Sequence, residues 1–506
     1  MAVIARTSIA VALGIVSSAS LGCARLATDP RETAAGAEGS DDGMPDSADG
    51  GGVGDGDGDG DGDGDGNDDD DDDDGSTGGW GSICDLGGGY PDPCPSGECN
   101  KIDLLFVVDN STAMGRPQLI LSAGLPVLLG RLQELTDERG LPFNPDVNIM
   151  FTTTDVGHPA CTPFEAAGYM PAQGAPQDQA CTERLDDFTV DVANPPTYPE
   201  ACTTVCPFAV EPVDPFIHFS GPMATTTNVP GNNILGAMQC LAPQGINGCG
   251  YESPLEAMLH ALDPDAAWNQ GNKPFLRDDA LLAIVMITDE EDCSVQGPEG
   301  YPYFEDPLDT YWEIDPEAGS KTKPTSAVCW NAGVECTGLD ENGVYEECHS
   351  VDNGVLHPVD RYRDYLRDEL IDNQNKQIVM LGILGVPPVL AHQPYPPFQP
   401  TEGGVEDLVY RQWQDGAYPL GDIIEEDETA ASKQFQLGIG PGCTGEDGMG
   451  GFVSQATPPV RIKEVCQGLD EGDQINCCIE SICATDYDEA FQCLAGVIQT
   501  IITPIG

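Results

Sequence analysis

Asp109 and Ser111 stand directly after the apolar run 102–108, in the order Asp109-Asn110-Ser111-Thr112-Ala113-Met114. A second acidic group, Thr288-Asp289-Glu290-Glu291-Asp292, follows the apolar run 281–287. Carboxylates and a hydroxyl with no Cys or His beside them make a donor set for a hard cation such as Mg²⁺, or Mn²⁺ or Ca²⁺, which keeps water in its remaining positions. The plainer reading is that Asp109 and Ser111 cap the helix that follows, while Asp289 to Asp292 form a solvated acidic turn. Paired carboxylates can also do acid–base work, but with 86 acidic residues a nearby pair is expected by chance. No Gly-x-Ser-x-Gly elbow, His-Glu-x-x-His or phosphate loop is present. His158 lies just past Asp155, where an active site could sit, yet a polar loop histidine is the simpler reading.

These residues need elements to hold them. A nearly unbroken apolar run at 102–108 and continuous ones at 281–287 and 378–386 read as strands buried on both faces, joined by further strands at 147–154 and 216–219. Helical spacing marks 117–135, 254–262, 361–371 and 487–502, with Pro254 at a first helical turn. Strands alternating with helices predict an α/β domain over 101–502, Rossmann-like and doubly wound, with a mostly parallel sheet. In such sheets ligands gather beyond the carboxyl ends of the strands, where Asp109 and Asp289 would both emerge. Three Cys- and Pro-rich stretches, near 157–214, 295–357 and 388–455, read as long disulfide-pinned insertions.

The segments LLFVVDNSTAM at 104–114, YESPLEAMLHAL at 251–262 and LLAIVMITDEEDCS at 281–294 resemble the three metal-site loops of a von Willebrand factor type A domain. The resemblance covers most of 101–502 apart from the insertions. That family carries Asp-x-Ser-x-Ser after the first strand, a Thr on a second loop and an Asp after the fourth strand. Asp109 and Ser111 match the first loop and Asp289 the third, while Ser253 takes the place of the Thr. Ala113 stands where the second Ser should be and cannot ligate. The resemblance implies a divalent ion, with one position left open for a carboxylate from a partner.

The N-terminus reads as a secretory signal over 1–22, with Arg6 before an apolar stretch too short to span a bilayer. Ser20-Leu21-Gly22-Cys23 resembles a bacterial lipobox, departing from it at Ser20; the resemblance implies lipidation of Cys23 and, with Ala24 next, sorting to the outer membrane of a Gram-negative cell. Ordinary cleavage and secretion is the alternative. Over 23–80 the chain is a hydrated Asp/Gly tether; its Asp57-x-Asp59-x-Asp61-Gly62 copies the start of a calcium loop but has Asp68, not Glu, at position twelve. A small collar over 81–100 carries Cys84, Cys94 and Cys99.

Twenty cysteines indicate an oxidising compartment. The adjacent Cys477 and Cys478 should reach different partners, and Cys293 should tie its loop to the insertion holding Cys329, Cys336 and Cys348. A formal net charge of -66 argues against binding nucleic acid or anionic lipid heads, leaving membrane contact to the lipid alone. The expectation is therefore an envelope lipoprotein that binds a protein or glycan partner, in which an acidic partner residue completes the shell of a Mg²⁺ held by Asp109, Ser111 and Asp289. The alternatives are a structural lipoprotein with a decayed site and, further off, a secreted hydrolase.

Overall fold

A computed structural model describes residues 100–503 apart from 163–167, 191–196, 222–223, 306–309, 447–450, 471 and 473. The signal, the tether, Cys23 and nearly all of the collar lie outside the described residues. The centre is a seven-stranded sheet. Its strands are β1 (Lys101–Val108), β2 (Asp146–Thr153), β3 (Ile217–Ser220), β4 (Thr226–Thr227), β5 (Leu281–Ile287), β6 (Ile378–Leu384) and β7 (Cys477–Ser481). They lie in the order β7-β6-β5-β1-β2-β3-β4. All pairs from β7 to β2 are parallel, and β3 and β4 close one edge antiparallel.

Alternation along β1 shows why its sequence is apolar from Leu104 to Val108. Leu104, Phe106 and Val108 enter a core shared with helix α1 (Gly115–Glu134), α2 (Ile234–Leu241) and α6 (Asp488–Ile502). Leu105 and Val107 enter the opposite core, with α3 (Pro254–Ala261), α4 (Asp360–Asp364) and α5 (Val460–Gln467). A strand that buries both faces needs an apolar residue at every position rather than at every second one. The same alternation separates Cys477 from Cys478: one bonds Cys466 of α5 and the other Cys493 of α6, so β7 is tied to the helices on both faces.

The insertions carry more structure than their composition suggests. The stretch 295–357 contains a short helix, Ala327–Gly333, and a hairpin of Val334–Thr337 with Glu347–Ser350. The stretch 388–455 contains a hairpin of Val389–His392 with Pro400–Gly403, a helix at Ala430–Leu437 and a strand at Cys443–Glu446. Disulfides do fix them: Cys161–Cys249, Cys181–Cys202, Cys206–Cys240, Cys293–Cys329, Cys336–Cys348 and Cys443–Cys483. The expected link from Cys293 to the insertion is therefore made to Cys329. This density of disulfides fits an extracellular or periplasmic setting. The helix expected over 361–371 is α-helical only to Asp364 and then widens into a π turn, Tyr365–Asp372. No described helix is long and apolar enough to cross a membrane.

Candidate functional site

In register, Val108 pairs with Ile287 on one side and Thr153 on the other. The chain therefore leaves β1, β2 and β5 at the same edge of the sheet, and the crevice lies where the strand order reverses between β1 and β5. Asp109 extends the ladder by one bond, its N–H donating to Ile287 O at 2.9 Å. Its carboxylate accepts from Ser111 N at 2.7 Å and from the Thr288 hydroxyl at 2.5 Å. Ser111 occupies the cap position of the short turn Thr112–Met114, but its hydroxyl caps nothing and makes no hydrogen bond of good geometry. Capping therefore does not account for Ser111. The hydroxyl stands close enough to Asp109 and Asp289 to favour their ionised forms.

Buried Gln118 of α1 fastens the second loop to the first. Its amide donates to Asp109 O and Gly245 O, and its carbonyl accepts from Gln244 N and Gly245 N. Gly248 lies against Asn110 so closely that a Cβ there would meet the Asn110 side chain at 2.3 Å. On this loop Ser253 is turned from the crevice: its hydroxyl donates to Cys293 O at 3.0 Å. The preceding residue, Glu252, faces the cluster instead. One of its oxygens accepts from the Thr154 hydroxyl and the other, fully buried, has no partner. Asp155, just past β2, accepts from Gly157 N, Tyr169 OH and Cys249 N, and Tyr169 also accepts from the Asn110 amide.

The third loop divides in two. Glu291 accepts from Val460 N at 2.6 Å and Arg461 N at 3.2 Å, at the start of α5. Asp292 accepts from Arg461 Nε at 3.0 Å and Leu255 N at 3.1 Å, at the start of α3. These two are helix-anchoring acids answered by a buried arginine. Asp289 and Glu290 are not answered, and Asp289 Oδ1 has no partner at all. A solvated turn is excluded here, since Asp289, Glu291 and Asp292 are 6%, 4% and 0% exposed.

Asp109, Asp155, Glu252, Asp289 and Glu290 thus form one patch of carboxylates, and among the described residues none of them is in an ion pair with Lys, Arg or His. Burial raises all of them above the ordinary carboxylate range. For Asp289 and Glu252 the negative charge of Asp109 adds to burial, and for Glu290 those of Asp289 and Asp109 do. The hydrogen bonds from Thr288 and Ser111 pull Asp109 the other way. Buried carboxylates with no countercharge must either keep protons or attract a cation. Orphaned oxygens at Asp289 and Ser111 fit a hard cation between the first and third loops, with Asp109 behind them. Ala113 is exposed and supplies no ligand, and the Ser253 hydroxyl is already engaged. Among the described residues no three His, Cys, Asp or Glu side chains are placed to hold a metal, so the fit rests on two carboxylates and one hydroxyl.

Sequence reasoning missed Glu252 and Glu290 as members of this group. Their only signal is position, each beside a loop that leaves a strand or enters a helix, and that signal is shared by many acids in this chain. His158 does lie in the loop after β2, but it is not a solvated polar group: it is buried among Tyr251, Tyr301 and Phe304, and burial pushes its imidazole down to about 4. No protein-family model, curated protein or solved structure matches the chain.

Proposed function

We propose that the chain is an envelope lipoprotein anchored at Cys23 whose folded part is a divergent von Willebrand factor type A domain that binds a protein or glycan partner through a divalent cation. The observation that carries this reading is the uncompensated carboxylate patch at the strand-order reversal. With β4 taken as an extension of β3, the main strands run 3-2-1-4-5-6, an order whose ligand crevice falls between the first and fourth. Asp109, Ser111 and Asp289 would hold the ion, and Glu252 adds a further charge from the second loop. A bound cation would offset the repulsion between this acidic edge and a carboxylate of the partner. Calorimetric titration of Mg²⁺ or Mn²⁺ into wild type and Asp109→Ala tests it: one saturable site lost in the variant supports the reading, and identical titrations refute it.

A second reading has its own observation. Ala113 removes one ligand and Ser253 is engaged elsewhere, as in a fold whose metal site has decayed into a proton-sharing acid cluster. It predicts that no divalent ion changes the unfolding temperature.

A further inference from the structure

A second crevice opens beyond the carboxyl ends of β6 and β7, built from other residues. It is a cavity of about 580 Å³ between the hairpin at Val389–His392, the strand Cys443–Glu446 and the turn that follows β7. At its wall Glu480, 7% exposed in its side chain, pairs through Oε1 with Nε2 of His392 at 2.8 Å. Its other oxygen, Oε2, makes no hydrogen bond among the described residues. Two links keep the walls in place: the Cys443–Cys483 disulfide, and the Gln399 amide donating to Cys477 O at 3.1 Å. Tyr418, edge-on to Phe452 at 4.2 Å, supplies an aromatic surface.

The charges that line this cavity are unbalanced. Four carboxylates, Glu446, Glu480, Asp486 and Glu489, line it against two cationic groups: Arg411, whose charge Asp422 balances, and His392, which can balance one of the four. Arg411 is held by both oxygens of Asp422 at 2.5 and 2.7 Å, and His392 is held by Glu480. The cavity therefore offers acceptors and negative charge with few donors. A ligand that satisfies it must donate hydrogen bonds and carry positive charge, which a neutral sugar does only in part and an anion not at all. The volume suits a small molecule or one side chain, and an aromatic wall favours a cation further.

We propose that this cavity is a binding site for an organic cation, an ammonium or guanidinium group, which is seated on Glu480 and flanked by Glu446 and Glu489. Two sources supply such a group: a free polyamine, or the Lys or Arg side chain of a protein. Calorimetry on the full chain, with spermidine and separately with a short lysine peptide, tells them apart. EDTA is kept present throughout, so the outcome does not depend on any cation at Asp109. The Asp/Gly segment is common to every variant, so its weak binding cancels in the comparison. The expected result is a saturable component with one of the two amines, weakened at least about tenfold in Glu480→Gln, the loss of one charge-assisted bond. The surface double variant Glu446→Gln/Glu489→Gln, which leaves the buried pair intact, should weaken it less but measurably. Spermidine alone would identify a polyamine site, and the peptide alone a site for a basic protein segment. Equal binding by wild type and both variants would overturn the proposal, as would a neutral sugar that needs Glu480 while neither amine binds.

Discussion

Asp103 and Asp109 sit at opposite ends of β1, both fully buried, and their surroundings differ completely. Asp103 is gripped by Arg277, whose N–H and Nε each donate to it at 2.7 Å, and Arg277 also reaches Asp146 at 2.5 Å. Buried Lys376 backs this arginine by donating to Arg277 O and Ala280 O. The Asp109 carboxylate accepts two hydrogen bonds and has more carboxylates around it and, among the described residues, no paired cation. The amino end of the sheet closes its electrostatics internally, whereas the carboxyl end leaves them open. Such a difference along one strand is what the proposed reading expects, with Asp103 serving the fold and Asp109 a ligand.

The comparison can be broken first at the closed end. Arg277→Met would strand Asp103 without its partner and should cost about 3–5 kcal/mol, read from urea unfolding at neutral pH. Adding Asp103→Asn to that variant should recover part of the loss. A small effect would mean that Arg277 is not what holds this end together.

Two buried groups, His158 and Asp103, give the fold opposite responses to acid. His158 is held neutral by burial, from an ordinary 6.5 down to about 4. The folded state then binds fewer protons than the unfolded chain, so this contribution is complete above 6.5 and fades as pH falls towards 4. Asp103 acts oppositely: burial, against the pull of Arg277, raises it from 3.8 to about 6, and stability from this group falls as pH rises through that window. His158→Phe, set among three aromatic rings, should gain about 3 kcal/mol relative to wild type between pH 7 and pH 4. A constant difference across pH would contradict the buried neutral imidazole.

The smallest effect lies at the open end and has the reverse sign. Asp289→Asn removes one of the mutually repelling charges and should stabilise the metal-free protein by about 1–2 kcal/mol in EDTA. If the variant is less stable in EDTA, Asp289 is already compensated and the two ends are not different in kind.

Much of this frame was legible. Largely apolar runs revealed four of the five strands that form the parallel core, because burial on both faces leaves a strand few polar positions, and those present, such as Asp103 and Asn148, are hydrogen-bonded inside. The one missed, β7, reads Cys-Cys-Ile-Glu-Ser, too short and too mixed to stand out. Its Glu480 lines the second crevice and its cysteines are in disulfides, so three of its five residues carry no ordinary apolar signal. Helices α2 and α5 were missed because each is only eight residues long, too short for its apolar stripe to repeat, and a disulfide helps to hold each in place. Asp109, Ser111 and Asp289 were legible as candidates because they follow strands. Glu252 was not, because which of two adjacent residues faces the crevice is decided by backbone bonds from Ser253 N to Thr154 O and from Cys293 N to Glu252 O. Those bonds join segments far apart in sequence.

The central claim is that the open end of the sheet holds a cation. Thermal unfolding of the full chain in EDTA and in rising Mg²⁺ or Mn²⁺, for wild type and Asp109→Ala, tests it most directly, since weak ions on the Asp-rich segment do not stabilise the folded part. The account predicts a saturable rise of at least about 2 °C in wild type and none in the variant. An unfolding temperature that ignores both ions, or rises equally in Asp109→Ala, would contradict it.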